Sequence, residues 1–96
     1  VAADAAGVTI DTGVIDAAYR TLAAGSDTVI VEGAGGWLVP LDDRRTLADL
    51  AIMLRLDVVL VVGIRLGCIN HALLTVAAVE AAGLQLAGWV ANRCDA

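Results

Sequence analysis

The chain has 96 residues, of which 59% are apolar and 18% charged. That length fits one globular unit at most, and that apolar content excludes a disordered chain. Eleven acidic residues stand against six basic ones, all arginine and none lysine, for a formal charge of −5, which excludes the basic stripe of a nucleic-acid-binding surface and a face drawn to anionic membranes.

From Val1 to Asp11 no period is visible and the segment reads as a loop. Thr12 is expected to cap a first helix, because Val14, Ile15, Ala18, Tyr19 and Leu22 recur at three- and four-residue steps. Those residues make one buried face, Asp16 and Arg20 lie a turn apart on the polar side, and Gly25 ends the helix. Thr28 to Val31 is a short β-branched run that empties into Glu32-Gly33-Ala34-Gly35-Gly36, as a buried strand entering a glycine loop would. Pro40 and the charged Asp42-Asp43-Arg44-Arg45 mark a surface turn. Thr46 and Asp49 have the spacing of a capping box for a helix that runs to about Arg55.

Val58 to Val62 is apolar at successive positions, the pattern of a parallel strand covered on both faces. Gly63 to Gly67 is a loop, Asn70 is placed to cap a third helix reaching about Ala82, Gly83 ends it, and Leu86 to Ala91 makes a third strand. The order αβαβαβ predicts an α/β fold with a doubly wound, mostly parallel sheet, represented here by about three strands and three helices. Sheets of this class commonly have more strands, and the chain begins without Met or a basic leader. Residues 1–96 therefore read as part of a single domain of a longer protein. Asp49, Arg55, Asp57, Arg65 and Glu80 interrupt the apolar second half, so no run reaches the ~18 apolar residues of a membrane span. Cys68 and Cys94 form no C-x-x-C pair, which points to a reducing, cytoplasmic setting rather than a disulfide framework or a zinc site.

Ligands of open α/β sheets bind beyond the carboxyl ends of the strands, so the loops 32–36, 63–70 and 92–95 are the places to look. Glu32 at a strand tip suits hydrated Mg²⁺, while the following glycines let a polyphosphate approach the backbone; the same residues also suit a solvated strand end and a turn. Gly67-Cys68-Ile69-Asn70 opens a helix, where unpaired N–H groups favour an anion, although every capped helix begins with such donors. Cys68 fits a small packed residue, and His71 fits packing or solvent as well as acid–base work. Asn92 offers an amide that matches a purine edge, and it is equally a good turn former. Arg65 suits a phosphate, a carboxylate or open solvent.

Three strings, V-E-G-A-G-G-W-L-V-P-L at 31–41, V-V-G-I-R-L-G-C-I-N-H-A-L-L-T at 61–75 and L-A-G-W-V-A-N at 86–92, together resemble the dethiobiotin synthetase family in order and spacing. The resemblance covers the chain from about Asp27 to Asn92 and implies a P-loop NTPase type of fold. It implies an ATP- and Mg²⁺-dependent ring closure in biotin biosynthesis. In that reaction CO₂ or bicarbonate carbon adds to an amine of 7,8-diaminopelargonate, ATP phosphorylates the carbamate, and the second amine displaces phosphate to leave dethiobiotin, ADP and phosphate. On this resemblance Glu32 binds Mg²⁺, and Glu32, Gly33, Ala34 and Gly35 lie along the nucleotide phosphates. Gly67, Cys68, Ile69 and Asn70 hold the substrate carboxylate across a homodimer interface, while Asn92 and Arg93 fall at the adenine. The family's G-x-x-x-x-G-K-[ST] loop has no counterpart in residues 1–96, so no catalytic residue is assigned to them, and Arg65 stands where relatives often carry lysine. Glycine-rich loops are shared with amidoligases of the cobyrinic acid diamide synthase kind and with ParA/MinD-like nucleotide switches. The G-C-I-N-H and G-W-V-A-N strings lower the first, and the lack of a basic or amphipathic element lowers the second. An inactive truncated module is the remaining alternative.

Overall fold

A computed structural model describes residues 10–94. The first nine residues of the expected leading loop, and Asp95 of the last candidate loop, lie outside the described residues. The chain falls into two compact units, Val1–Leu54 and Arg55–Ala96.

In the first unit, α1 spans Thr12–Ala24. Its N-cap is Asp11 and not Thr12: Asp11 is extended, and its carboxylate accepts a hydrogen bond from the Gly13 N–H at 2.8 Å. Thr12 is instead the first helical residue, buried, with its hydroxyl accepting from Arg45 Nη1. Gly25 forms the C-cap as expected, and Asp16 pairs with Arg20 at 3.3 Å on the exposed side. The expected buried face is largely open: Val14, Ala18 and Leu22 are exposed, and only Ile15 and Tyr19 are half-buried. Within this unit α1 packs on a single short helix, which is too narrow to cover a five-residue stripe.

That helix, α2, spans Leu47–Leu54 and buries Ala48, Ala51 and Leu54. Its start is the capping box read from sequence: the Thr46 N–H donates to Asp49 Oδ2 at 2.8 Å and the Asp49 N–H donates to Thr46 Oγ1 at 3.3 Å. Two further amides of the first turn are satisfied by the preceding loop, Leu47 by the Val39 carbonyl and Ala48 by that of Trp37. The helix ends one residue before expectation, because Arg55 turns left-handed at φ 55°. The predicted strand over 28–31 does not form, and Ile30 is 88% exposed. A strand exists only when a neighbour takes its backbone groups, and β-branched composition alone does not supply one.

The surface turn is tied down by Asp42, whose Oδ1 accepts from the Arg44 and Arg45 N–H groups at 2.8 and 2.7 Å. Those two bonds, of Arg44 first and then Arg45, hold the Asp42 carboxyl below its ordinary value of 3.8. The ionised form is the one the folded turn favours, so its contribution is complete above about pH 3.8 and is lost as pH falls through the lower folded value. An amide chemical-shift titration of Arg44 and Arg45 should therefore show a midpoint below 3.8 that disappears in Asp42→Asn; a midpoint at or above 3.8 would refute this account.

The second unit is a β-α-β arrangement. β1 spans Val58–Ile64, α3 spans Cys68–Ala81 and β2 spans Leu86–Arg93. The strands pair in parallel, from Val58 against Leu86 to Ile64 against Arg93, with a bulge between Val58 and Val59. Parallel strands need such a crossover, and here α3 supplies it and packs on both. Among the described residues the sheet has two strands, not three. The expected cover on both faces of β1 is also corrected. Val58, Leu60 and Val62 are half-buried, while Val59 and Val61 are 58% and 63% exposed, because one crossover helix covers one face. Val79 of α3 is fully buried and anchors the unit. Gly83, at φ 78°, ends the helix region as read, its N–H bonded to the Glu80 carbonyl at 2.9 Å. No helix among the described residues is long and apolar enough to cross a membrane.

Candidate functional site

The carboxyl ends of the two parallel strands lie side by side because their register is fixed to the last residue: Gly63 faces Asn92 and Ile64 faces Arg93. This brings together two of the three segments picked out in the sequence. Asn92 was expected to follow the last strand; it lies within it, since β2 runs on to Arg93, and the ladder partner of Asn92 on β1 explains the extension. Asn92 and Arg93 are both exposed at this edge.

Beyond β1 the chain turns at Arg65 to Gly67 into α3. The helix begins at Cys68, so the assignment of Asn70 as its cap is corrected: the N-cap is Gly67 in a left-handed conformation, φ 87°, with no side-chain capping bond. Asn70 is the third helical residue. The Cys68 N–H is taken by the Arg65 carbonyl at 3.0 Å, and the Gly67 carbonyl accepts the first intrahelical bond, from His71, at 3.1 Å. A helix start capped by a glycine offers backbone donors and the positive end of the dipole without a competing side chain. Cys68 is half-buried, while Ile69, Asn70 and His71 are exposed.

A tight cluster joins the two strand ends. Arg65 Nη2 donates to Cys94 Sγ at 3.4 Å, and the Cys94 thiol donates to the Asn92 carbonyl at 3.7 Å. Gly63 makes the room: a Cβ there would stand 2.8 Å from Cys94 Sγ and 3.0 Å from Arg65 Nη2. Cys94 lies in the candidate loop 92–95, but its distance along the chain from Arg65 conceals their contact in the sequence.

The remaining candidates, Glu32, Gly33, Ala34 and Gly35, are in the first unit and all exposed. Gly35 has φ 92°, and a Cβ on it would lie 3.0 Å from Val39 Cγ2, so the loop's own packing requires glycine here. The Val39 and Trp37 carbonyls tie the same loop to the start of α2. The first unit also holds a hollow of about 390 Å³ between Thr12, Arg44, Arg45, Asp49 and Met53, which contains none of the residues singled out by motif. The Arg44-Arg45 pair was read as a surface turn.

Among the described residues no three His, Cys, Asp or Glu side chains cluster as a metal cage. Mg²⁺ commonly takes one or two carboxylates and fills its remaining positions with substrate phosphate and water. An exposed Glu32 followed by glycines fits that description.

The AAA domain family matches residues 1–96, the whole length. The chain belongs to that family. Its parallel β-α-β unit is accordingly a portion of an α/β fold of the P-loop NTPase type. Two relatives are similar over nearly all of this family member: ATP-dependent dethiobiotin synthetases of Aromatoleum aromaticum, 61% identical over 95 residues, and of Nitrosospira multiformis, 60% identical over 95 residues. Each alignment covers 99% of this chain and 42% of the relative. The chain thus spans less than half the length of the curated relatives it matches.

Proposed function

We propose that these residues are the central part of one ATP-dependent synthetase domain that closes the ureido ring of dethiobiotin from 7,8-diaminopelargonate and CO₂, with ADP and phosphate as the other products. The observation that carries this reading is identity of about 60% across 99% of the chain with two synthetases so named. Both names also weigh against a nucleotide switch, whose product is a conformational state and not a ligated molecule.

The chain's own residues are suited to binding and orientation more than to covalent chemistry. Phosphoryl transfer is largely positioning and charge neutralisation, which asks for backbone donors and fixed polar groups. The exposed Glu32 carboxylate would hold Mg²⁺, and the metal when bound would neutralise phosphate charge. Gly33, Ala34 and Gly35 would lie along the nucleotide phosphates, where small residues permit close approach of the backbone. The start of α3, Gly67 to Asn70, would take the carboxylate of the diamine from the neighbouring subunit of a homodimer, using N–H groups that no side chain caps. Asn92 and Arg93 would meet the adenine from the exposed end of β2. A cytoplasmic setting accords with free thiols at Cys68 and Cys94.

The test is a chimera. Residues 1–96 replace the equivalent segment of the Aromatoleum aromaticum synthetase, and formation of dethiobiotin and phosphate is measured with ATP, Mg²⁺, bicarbonate and the diamine. Diamine-dependent phosphate release is expected. A soluble, folded chimera that binds ATP but makes no dethiobiotin, or that releases phosphate equally without diamine, would overturn the reading.

A further inference from the structure

We propose that Arg65 is a positioning residue for the nucleotide base, acting through Cys94 on the Asn92 end of β2. This rests on the reading of Asn92 as a base contact, and it gives Arg65 a role other than gripping phosphate. The guanidinium is turned across the strand ends: Nη2 reaches Cys94 Sγ at 3.4 Å, and the thiol passes its own hydrogen to the Asn92 carbonyl at 3.7 Å. Both groups rest against the bare α-carbon of Gly63, which is the ladder partner of Asn92. The result is a relay, Arg65 to Cys94 to Asn92, laid over a glycine whose missing side chain leaves the space it occupies.

The chemistry explains why a thiol serves here. It accepts one hydrogen bond and donates another, so one small side chain links the loop after β1 to the backbone of the last strand. A guanidinium at the donor end has a planar spread of N–H groups that can rest along the strand while pointing at sulfur, which a lysine ammonium does not reproduce. The Asn92 side chain emerges next to the carbonyl held this way, so loosening the relay frees the amide that would read a purine edge.

The experiment uses the active chimera with Arg65→Gln, Cys94→Ala and the double variant, all at exposed positions. Each single change is expected to raise KM for ATP roughly threefold to tenfold, the equivalent of one ordinary hydrogen bond, with kcat within about twofold of the parent. The preference for ATP over GTP should fall by a similar factor, and the double variant should be no worse than the worse single one. A fall in kcat at unchanged KM for Arg65→Gln would overturn the proposal, because it would put the guanidinium on the transferring phosphoryl group. A silent Cys94→Ala, or additive effects, would overturn it as well. Failure of the parent chimera to use ATP would instead count against the proposed function, which keeps the two readings separable.

Discussion

Changing Glu32 to Gln in the chimera should lower turnover about a hundredfold, the loss typical when a preorganised charged group is removed from a phosphoryl-transfer site. Glutamine has the shape of glutamate without its charge, so the substitution tests attraction for the metal and little else. Glu32 is exposed and outside the ladder, which leaves the fold intact by expectation. The Mg²⁺ concentration for half-maximal rate should rise with the loss of rate, because a carboxylate is one of the few protein ligands Mg²⁺ commonly keeps. A near-parental rate with an unchanged Mg²⁺ requirement would mean that Glu32 is the solvated end of a loop.

The largest effect on stability is expected from Val79→Asp. Among the described residues Val79 is the fully buried side chain of the second unit, on the helix α3 that packs on β1 and β2. A carboxyl group there has to remain neutral and unpartnered or bring a charge into an apolar layer, and either course costs about 4 kcal/mol or more. Val79→Ala removes two methyl groups without adding polarity and should cost roughly 1–3 kcal/mol. Urea denaturation of the chimera, followed by far-UV circular dichroism, measures both. Equal midpoints for the parent and Val79→Asp would show that this position is not a core position in the assembled protein.

The segments legible in the sequence are those whose cause lies within a few residues. Thr46 and Asp49 satisfy each other's amides across three positions, so the start of α2 was readable without any neighbour. Asp16 and Arg20, one turn apart, met as read, and Gly25 and Gly83 ended their helices where expected. The alternation of an apolar run, a helix and another apolar run over 58–93 required a crossover, and a crossover between apolar strands means parallel pairing. The glycine-framed strings pointed to the family through their order and spacing, and identity of about 60% over 99% of the chain to two dethiobiotin synthetases bears that out.

Other features depended on partners that sequence does not identify. Thr28 to Val31 has strand composition, but no ladder receives it. Asp11 and Thr12 are both able to cap a helix; the choice fell to Asp11 because Thr12 turns inward to Arg45, thirty-three positions away. Asn70 lost its capping role because Gly67 took the left-handed turn, which set the N-cap three residues earlier and left Asn70 as the third helical residue. Cys94 became part of a cluster only because parallel register carried it alongside Gly63 and Arg65. The sequence by itself determined the capping box of α2, the helix ends, the parallel β-α-β unit and the family; the tertiary structure decided which faces are covered, which residues cap α1 and α3 and which side chains meet at the strand ends. Short-range hydrogen bonds are settled by spacing along the chain, whereas burial and long-range contact depend on which distant segment arrives to provide the other half.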